Sequence, residues 1–286
     1  MDKQQEYDVE NGTLADFMSA VCQKILENLF TTVLDYQSLI DNHFRYLFSP
    51  KTEWAKFSRM VIFLRATREY IVKQLKNAGE LPDHGYYHDL QNCNDFDVEI
   101  TAIGTANYNN LVEKIAGELD YNIPEIKHLN GSINDYYNPY KNSVISCLAE
   151  EDVPKDEIHV PFILTQSGLK PLTSVDMSRR YVSLYDDYLT CDAIVIVGYG
   201  FNIDDSHING LFRQLIDDGE KHIYWVCLNS EGSVEELKRT LISKLRINSE
   251  SRNRIHIVPV DQDSRLCDET IWIEKIATMT SPQSSS

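Results

Sequence analysis

The chain has 286 residues, with 27 basic side chains against 44 acidic ones and a net charge of -17. That length buries a core of one large or two small domains, while so acidic a surface repels phosphate backbones and anionic lipid heads, excluding nucleic acid and membranes as direct partners. Cys22, Cys93, Cys147, Cys191, Cys227 and Cys267 form no Cys-X-X-Cys pair, no apolar run approaches a bilayer span, and residues 1–10 lack the basic-then-apolar order of a secretory signal, so the expectation is a reduced, soluble, cytoplasmic protein without a metal.

The first elements are helical. Thr13-Leu14-Ala15-Asp16 reads as a capping box, and Leu14, Phe17, Val21, Ile25, Leu29 and Val33 recur at helical spacing behind it. Ser49-Pro50 opens a second helix, since proline tolerates the first helical position. Its stripe is Trp54, Phe57, Val61, Leu64, Ile71 and Leu75, and Gly79 fits just past its end. A polar loop over 80–94, with Pro82 and Gly85, closes this N-terminal helical region, 1–94.

From Asp95 the texture changes. Apolar runs predict strands over 98–105, 123–129, 159–164, 194–197, 222–228 and 255–260. Helical spacing falls over 111–119, 184–189, the segment after Asp205, and 234–245. Strands alternating with helices in this way predict an α/β domain over 95–279 built on a doubly wound, mostly parallel sheet. Pro161 lacks the N–H of a ladder donor and pushes its strand to an edge or an end. The Ser/Pro/Gln tail, 280–286, is expected to be disordered.

The run from Cys191 to Asn202 carries the sharpest signal. Ile194-Val195-Ile196-Val197 reads as a strand buried on both faces, and Gly198-Tyr199-Gly200 ends it. A Gly-X-Gly step turns sharply and lets backbone approach a ligand closely; a packed turn without a ligand fits the same residues. Three further strand ends carry polar chemistry: Thr105 to Glu113, Lys127 to Ser132, and Asn229. Neutral amides at such ends can hold ribose hydroxyls or a carboxamide; helix capping is the alternative for Asn107 and Asn229.

The order of these segments resembles bacterial sirtuin-like domains. Thr105-Ala106-Asn107-Tyr108-Asn109-Asn110-Leu111-Val112-Glu113 is similar to their Thr-Thr-Asn-Tyr-Asp-hydrophobic-hydrophobic-Glu segment. Lys127 to Ser132 resembles their His-Gly-Ser segment, and Ile194 to Asn209 their Gly-Tyr-Ser-Phe stretch. The resemblance runs from about residue 95 to the last predicted strand. It implies a Rossmann-like sheet that binds NAD, with NAD hydrolysis in anti-phage defence as the activity and NAD or ADP-ribose as ligand. It also implies a homo-oligomer or a defence-system partner protein. Carried over, Asn107 positions the nicotinamide ribose and water. Thr105, Asn130, Gly198, Tyr199, Gly200 and Asn229 line the dinucleotide.

Two departures qualify the enzymatic implication. Asn130 stands where the family has its histidine, and an amide cannot take up a proton; His128, two residues earlier on the same strand face, is the candidate replacement. No strand with a Gly-Ala-Gly loop precedes the helical region, so that pyrophosphate cradle either lies upstream of Met1 or has decayed. Two readings follow: an NAD hydrolase, or a subunit of one, acting through Asn107 and His128; or a catalytically degenerate module that binds a nucleotide or serves as an assembly partner. A dehydrogenase lacks its Gly-X-Gly-X-X-Gly loop, and a deacylating sirtuin lacks its paired zinc cysteines.

Overall fold

The computed structural model describes residues 53–77, 79, 84–118, 122–164 and 174–281. Its regular elements begin with α1 (Glu53–Asn77), β1 (Ile103–Thr105), α2 (Leu111–Ala116), β2 (Ile126–His128), β3 (Gly131–Asn138), β4 (Ser143–Ser146) and β5 (Val160–Ile163). They continue with α3 (Val175–Thr190), β6 (Ile194–Val197), α4 (Ser206–Asp217), β7 (Ile223–Leu228), α5 (Val234–Leu245), β8 (Ile255–Val260), β9 (Leu266–Cys267), β10 (Thr270–Ile271) and α6 (Trp272–Thr280). The Thr13 capping box, the helix behind it, the Ser49-Pro50 start and residues 282–286 lie outside the described residues. This is a mixed α/β structure, and no described helix is long and apolar enough to cross a membrane.

The described residues fall into two compact units, one holding α1 and β3 to β5, the other the remaining elements. In the first, β3 lies between β4 and β5, antiparallel to both. Among the described residues Pro161 sits on β5, an outer strand, the position in a sheet that tolerates a residue without an N–H. Gly131 opens β3 at φ +73, and a Cβ there would come within 2.1 Å of the Phe162 carbonyl oxygen, so only glycine fits. Arg68 on α1 is buried and paired. Its Nε donates to the Ile133 carbonyl at 2.7 Å, Nη1 reaches Glu150 at 3.1 Å, and the guanidinium lies 5.3 Å from the Tyr136 ring centroid.

In the second unit β6, β7 and β8 form a parallel sheet in that order, and β1 pairs with β2, also parallel. The strand read as buried on both faces is corrected here. Among the described residues β6 is an outer strand, and Val195 is 39% exposed. The middle strand is β7, buried from Ile223 through Cys227. Four β-branched residues in a row say that a strand forms; they do not say how many neighbours it has.

Beta1 is also shorter than its apolar run. Val98 bends away to donate to the Cys93 carbonyl at 3.0 Å, and Val98 and Ile100 pack on a core of Tyr224, Val226, Val258, Val260 and Trp272. That core is completed by α6, with Ile273 and Ile276 buried. Asp89 ties the outlying segments together: it takes Arg265 through both oxygens at 2.7 and 2.9 Å and accepts the Trp272 indole N–H at 3.0 Å.

Candidate functional site

Everything in the candidate site belongs to the second unit. The parallel register sets Thr105 level with His128, so the chain leaves β1 and β2 at one edge. Thr105, buried, accepts the Asn107 amide at 3.1 Å through Oγ1, which tightens the turn. Asn107 itself is exposed, its Nδ2 3.4 Å from the Tyr87 hydroxyl. It does not cap α2. The N-cap position is Asn110, without a side-chain cap bond, and Asn109 one residue earlier accepts the Leu111 amide at 3.3 Å.

His128, 7% exposed, is engaged at both ring nitrogens. Nδ1 lies 2.9 Å from the Asn107 carbonyl oxygen, and Nε2 lies 2.5 Å from Glu113 Oε1 on α2. A carbonyl only accepts, so Nδ1 carries a proton, and Nε2 is taken up by the carboxyl group. His128 therefore holds the Asn107 turn from behind. In this arrangement no nitrogen is left to take a proton from a ligand, which corrects its expected part as the replacement base.

Asn130 is the joint of the site. It is 3% exposed; Nδ2 donates to the Ala106 carbonyl at 3.2 Å and faces Asp205 Oδ1 at 3.5 Å, while Oδ1 lies 2.8 Å from His207 Nε2. An amide oxygen accepts, so the His207 proton sits on Nε2 in the neutral ring and its lone pair on Nδ1. One side chain thus binds the turn after β1, the end of β2 and the start of α4. Tyr181 backs the cluster, its ring 5.6 Å from that of His207 and its hydroxyl donating to the Leu129 carbonyl at 2.8 Å. Burial first, and then the Asp205 charge, push the Tyr181 and Tyr199 phenols well above their ordinary range, so both remain neutral donors.

The glycine turn is braced. Gly198 adopts φ +65 and Phe201 φ +52, the latter a left-handed conformation that costs a side-chain residue about 1 kcal/mol or more. Phe201 is 1% exposed and its ring meets Trp225, Phe212 and Tyr199 edge-on at 5.4, 5.9 and 5.0 Å, which offsets that strain. Tyr199 donates to Asn209 Oδ1 at 3.1 Å, Asn209 donates to the Asn202 carbonyl at 2.7 Å, and Lys244 Nζ donates to the Gly200 carbonyl at 2.7 Å. Above the turn there is room: a Cβ on Gly198 or Gly200 would meet nothing within 4 Å.

That room separates folding from binding. Gly200 lacks the positive φ of Gly198, so Gly200→Ala is expected to leave the thermal midpoint within the range of a neutral surface change, about 0.5 kcal/mol. If ADP-ribose, the ligand that the sequence resemblance implies, rests on the turn, its calorimetric affinity should nonetheless fall; equal affinity in the variant would place it elsewhere.

The structure brings together Thr105, Asn107, His128 and Asn130, and joins them to Asp205 and His207 behind the 198–200 turn. Asn229 is not joined to them: it opens a short 3-10 turn, Asn229–Glu231, and takes no part in the hydrogen bonds above. Sequence reasoning missed His207, Tyr181 and the role of Asp205. The available signal was Asp205-Ser206-His207 opening a helix directly behind the glycine turn. Among the described residues no group of three or more His, Cys, Asp or Glu side chains is placed to hold a metal ion.

Neither a family model nor a curated protein matches this chain. Residues and geometry therefore carry the functional argument by themselves.

Proposed function

We propose that the second unit is a sirtuin-like, Rossmann-type domain that takes NAD across the turns after β1, β2 and β6. We propose further that it cleaves the nicotinamide–ribose bond, as a hydrolase or one subunit of a hydrolase in bacterial anti-phage defence. The observation that carries this reading is the Asn130 bridge, which draws the Asn107 turn and the segment behind the glycine turn to one place. Parallel β6, β7 and β8, with α4 and α5 in the connections, are the kind of half-sheet a doubly wound fold presents, and such folds take ligands at the carboxyl ends of their strands. Neutral groups suit ribose hydroxyls and a carboxamide. Lys244, bound to the Gly200 carbonyl, supplies a cation beside the turn in a chain of net charge -17.

Asn107 acts in this reading on the reacting bond, orienting the ribose and the attacking water while nicotinamide leaves and water adds to the ribose carbon. The test is nicotinamide release from NAD by the purified chain, alone and with any co-purifying partner. Asn107→Ala is expected to reduce it at least about 10²-fold, the scale of lost positioning. Because Asn107 is exposed, the fold should survive; activity that survives too would reject the site.

A second reading, nucleotide binding without turnover, is favoured by one specific observation. Asn130 cannot accept a proton, and both nitrogens of His128 are engaged. It expects calorimetric binding of ADP-ribose with no nicotinamide released. Neither heat nor nicotinamide would reject both readings.

A further inference from the structure

Helix α3 buries one face, through Met177, Tyr181 and Leu184, and among the described residues nothing covers the other. Val175, Arg179, Val182 and Asp186 are all exposed, and their i, i+4, i+7, i+11 spacing puts them in a single stripe along the helix. The two valines are 56% and 59% exposed. Among the described residues neither Arg179 nor Asp186 belongs to an ion pair, in contrast to neighbouring Asp187, which is bound by Lys127.

We propose that this stripe is a self-association surface on which two copies of the chain pair through antiparallel α3 helices. The occupant follows from the order of charges. A twofold axis passing between Val182 and Ser183 brings residues equally distant from it face to face. Arg179 then meets the partner's Asp186, and Asp186 the partner's Arg179, one to each side of the axis. Val182 of each copy meets the other near the centre. A parallel pair would oppose Arg179 to Arg179 and Asp186 to Asp186, so the charges select the antiparallel arrangement.

Net charge sharpens the choice. Two chains of charge -17 repel over most of their surface, so a self-contact needs a place where signs alternate in a self-complementary order. This stripe is one. A single helix pair falls below the roughly 1,200 Å² of a stable interface, so the dimer is a weak one, forming in the micromolar range. The pairing is independent of any ligand and stands whether or not the chain acts on NAD.

Sedimentation velocity of the full chain over a concentration series tests it. Arg179→Asp and Asp186→Arg, each alone, place like charges opposite one another twice per dimer and should raise the dissociation constant at least about tenfold. Combined in one chain they restore opposite signs, and dimerisation should return. All these positions are exposed, so circular dichroism and thermal midpoints should match the unsubstituted chain. A chain that stays monomeric throughout the micromolar range overturns the proposal. So does a dimer indifferent to the single changes, or one that the combined change fails to rescue.

Discussion

Asp89→Asn is expected to destabilise the second unit by about 3–5 kcal/mol, the cost of leaving a buried ion without its counter-charge. Asp89 is 6% exposed, and the Arg265 side chain opposite it 15%. The carboxylate serves three donors: two guanidinium nitrogens and the Trp272 indole. An amide of the same shape keeps one acceptor oxygen and turns an N–H donor toward a cation that can only donate. The bonds it donates to Asp89 raise the Arg265 pKa in the parent chain, and without them a guanidinium still keeps its proton at neutral pH, so it cannot escape the mismatch. Urea unfolding followed by Trp fluorescence would read the change. Adding Arg265→Met to Asp89→Leu should recover much of the loss, because no buried charge then remains. A midpoint unmoved by Asp89→Asn would mean that water reaches the pair and the segment is not fastened there.

How much of this was legible in the sequence depended on range. The β7 and β8 strands and the α4 and α5 helices were readable because apolar runs and 3.6-residue spacing are local signals. Pro161 announced its outer strand for an equally local reason, a missing donor. Beta3 escaped notice: its Ser132, Asn134, Asp135 and Asn138 give no apolar alternation. The strand forms because the buried polar members find partners, Asp135 with Ser146 and Asn138 with Glu157, both at 2.5 Å. The hairpin of β9 and β10 and helix α6 were missed as well, since Asp89 and Arg265 lie 176 residues apart and no pattern links them.

The site divides the same way. Thr105, Asn107 and Asn130 stand out as polar residues where apolar runs stop, which one strand's sequence suffices to show. The fate of His128 was hidden, because it is fixed by a carbonyl 21 residues upstream and a carboxyl group 15 residues upstream. A histidine read without those partners looks available for proton transfer. With them it is a brace, and the titratable ring next to Asn130 is His207, 77 residues away along the chain.

Asn130→His decides between turnover and binding alone, and a gain of activity is the informative result. In the hydrolase reading the chain works without a base at this joint, and a positioned base contributes roughly 10²–10⁴-fold. A rise in nicotinamide release of about 10²-fold is therefore expected, the low end because the new ring must also keep the joint closed. It does so in part. A neutral imidazole can donate to the Ala106 carbonyl at one nitrogen, as Asn130 does, and leave the other, no longer bound by His207, to take a proton from the ligand. It gives up the bond from His207 and the longer contact to Asp205 at 3.5 Å, so a fall in thermal midpoint should accompany the gain. The activity should rise with pH through about 6.5, where an unperturbed imidazole loses its proton. A folded variant that binds ADP-ribose as the parent chain does, yet releases no more nicotinamide at any pH, would show that the site holds a nucleotide without cutting it.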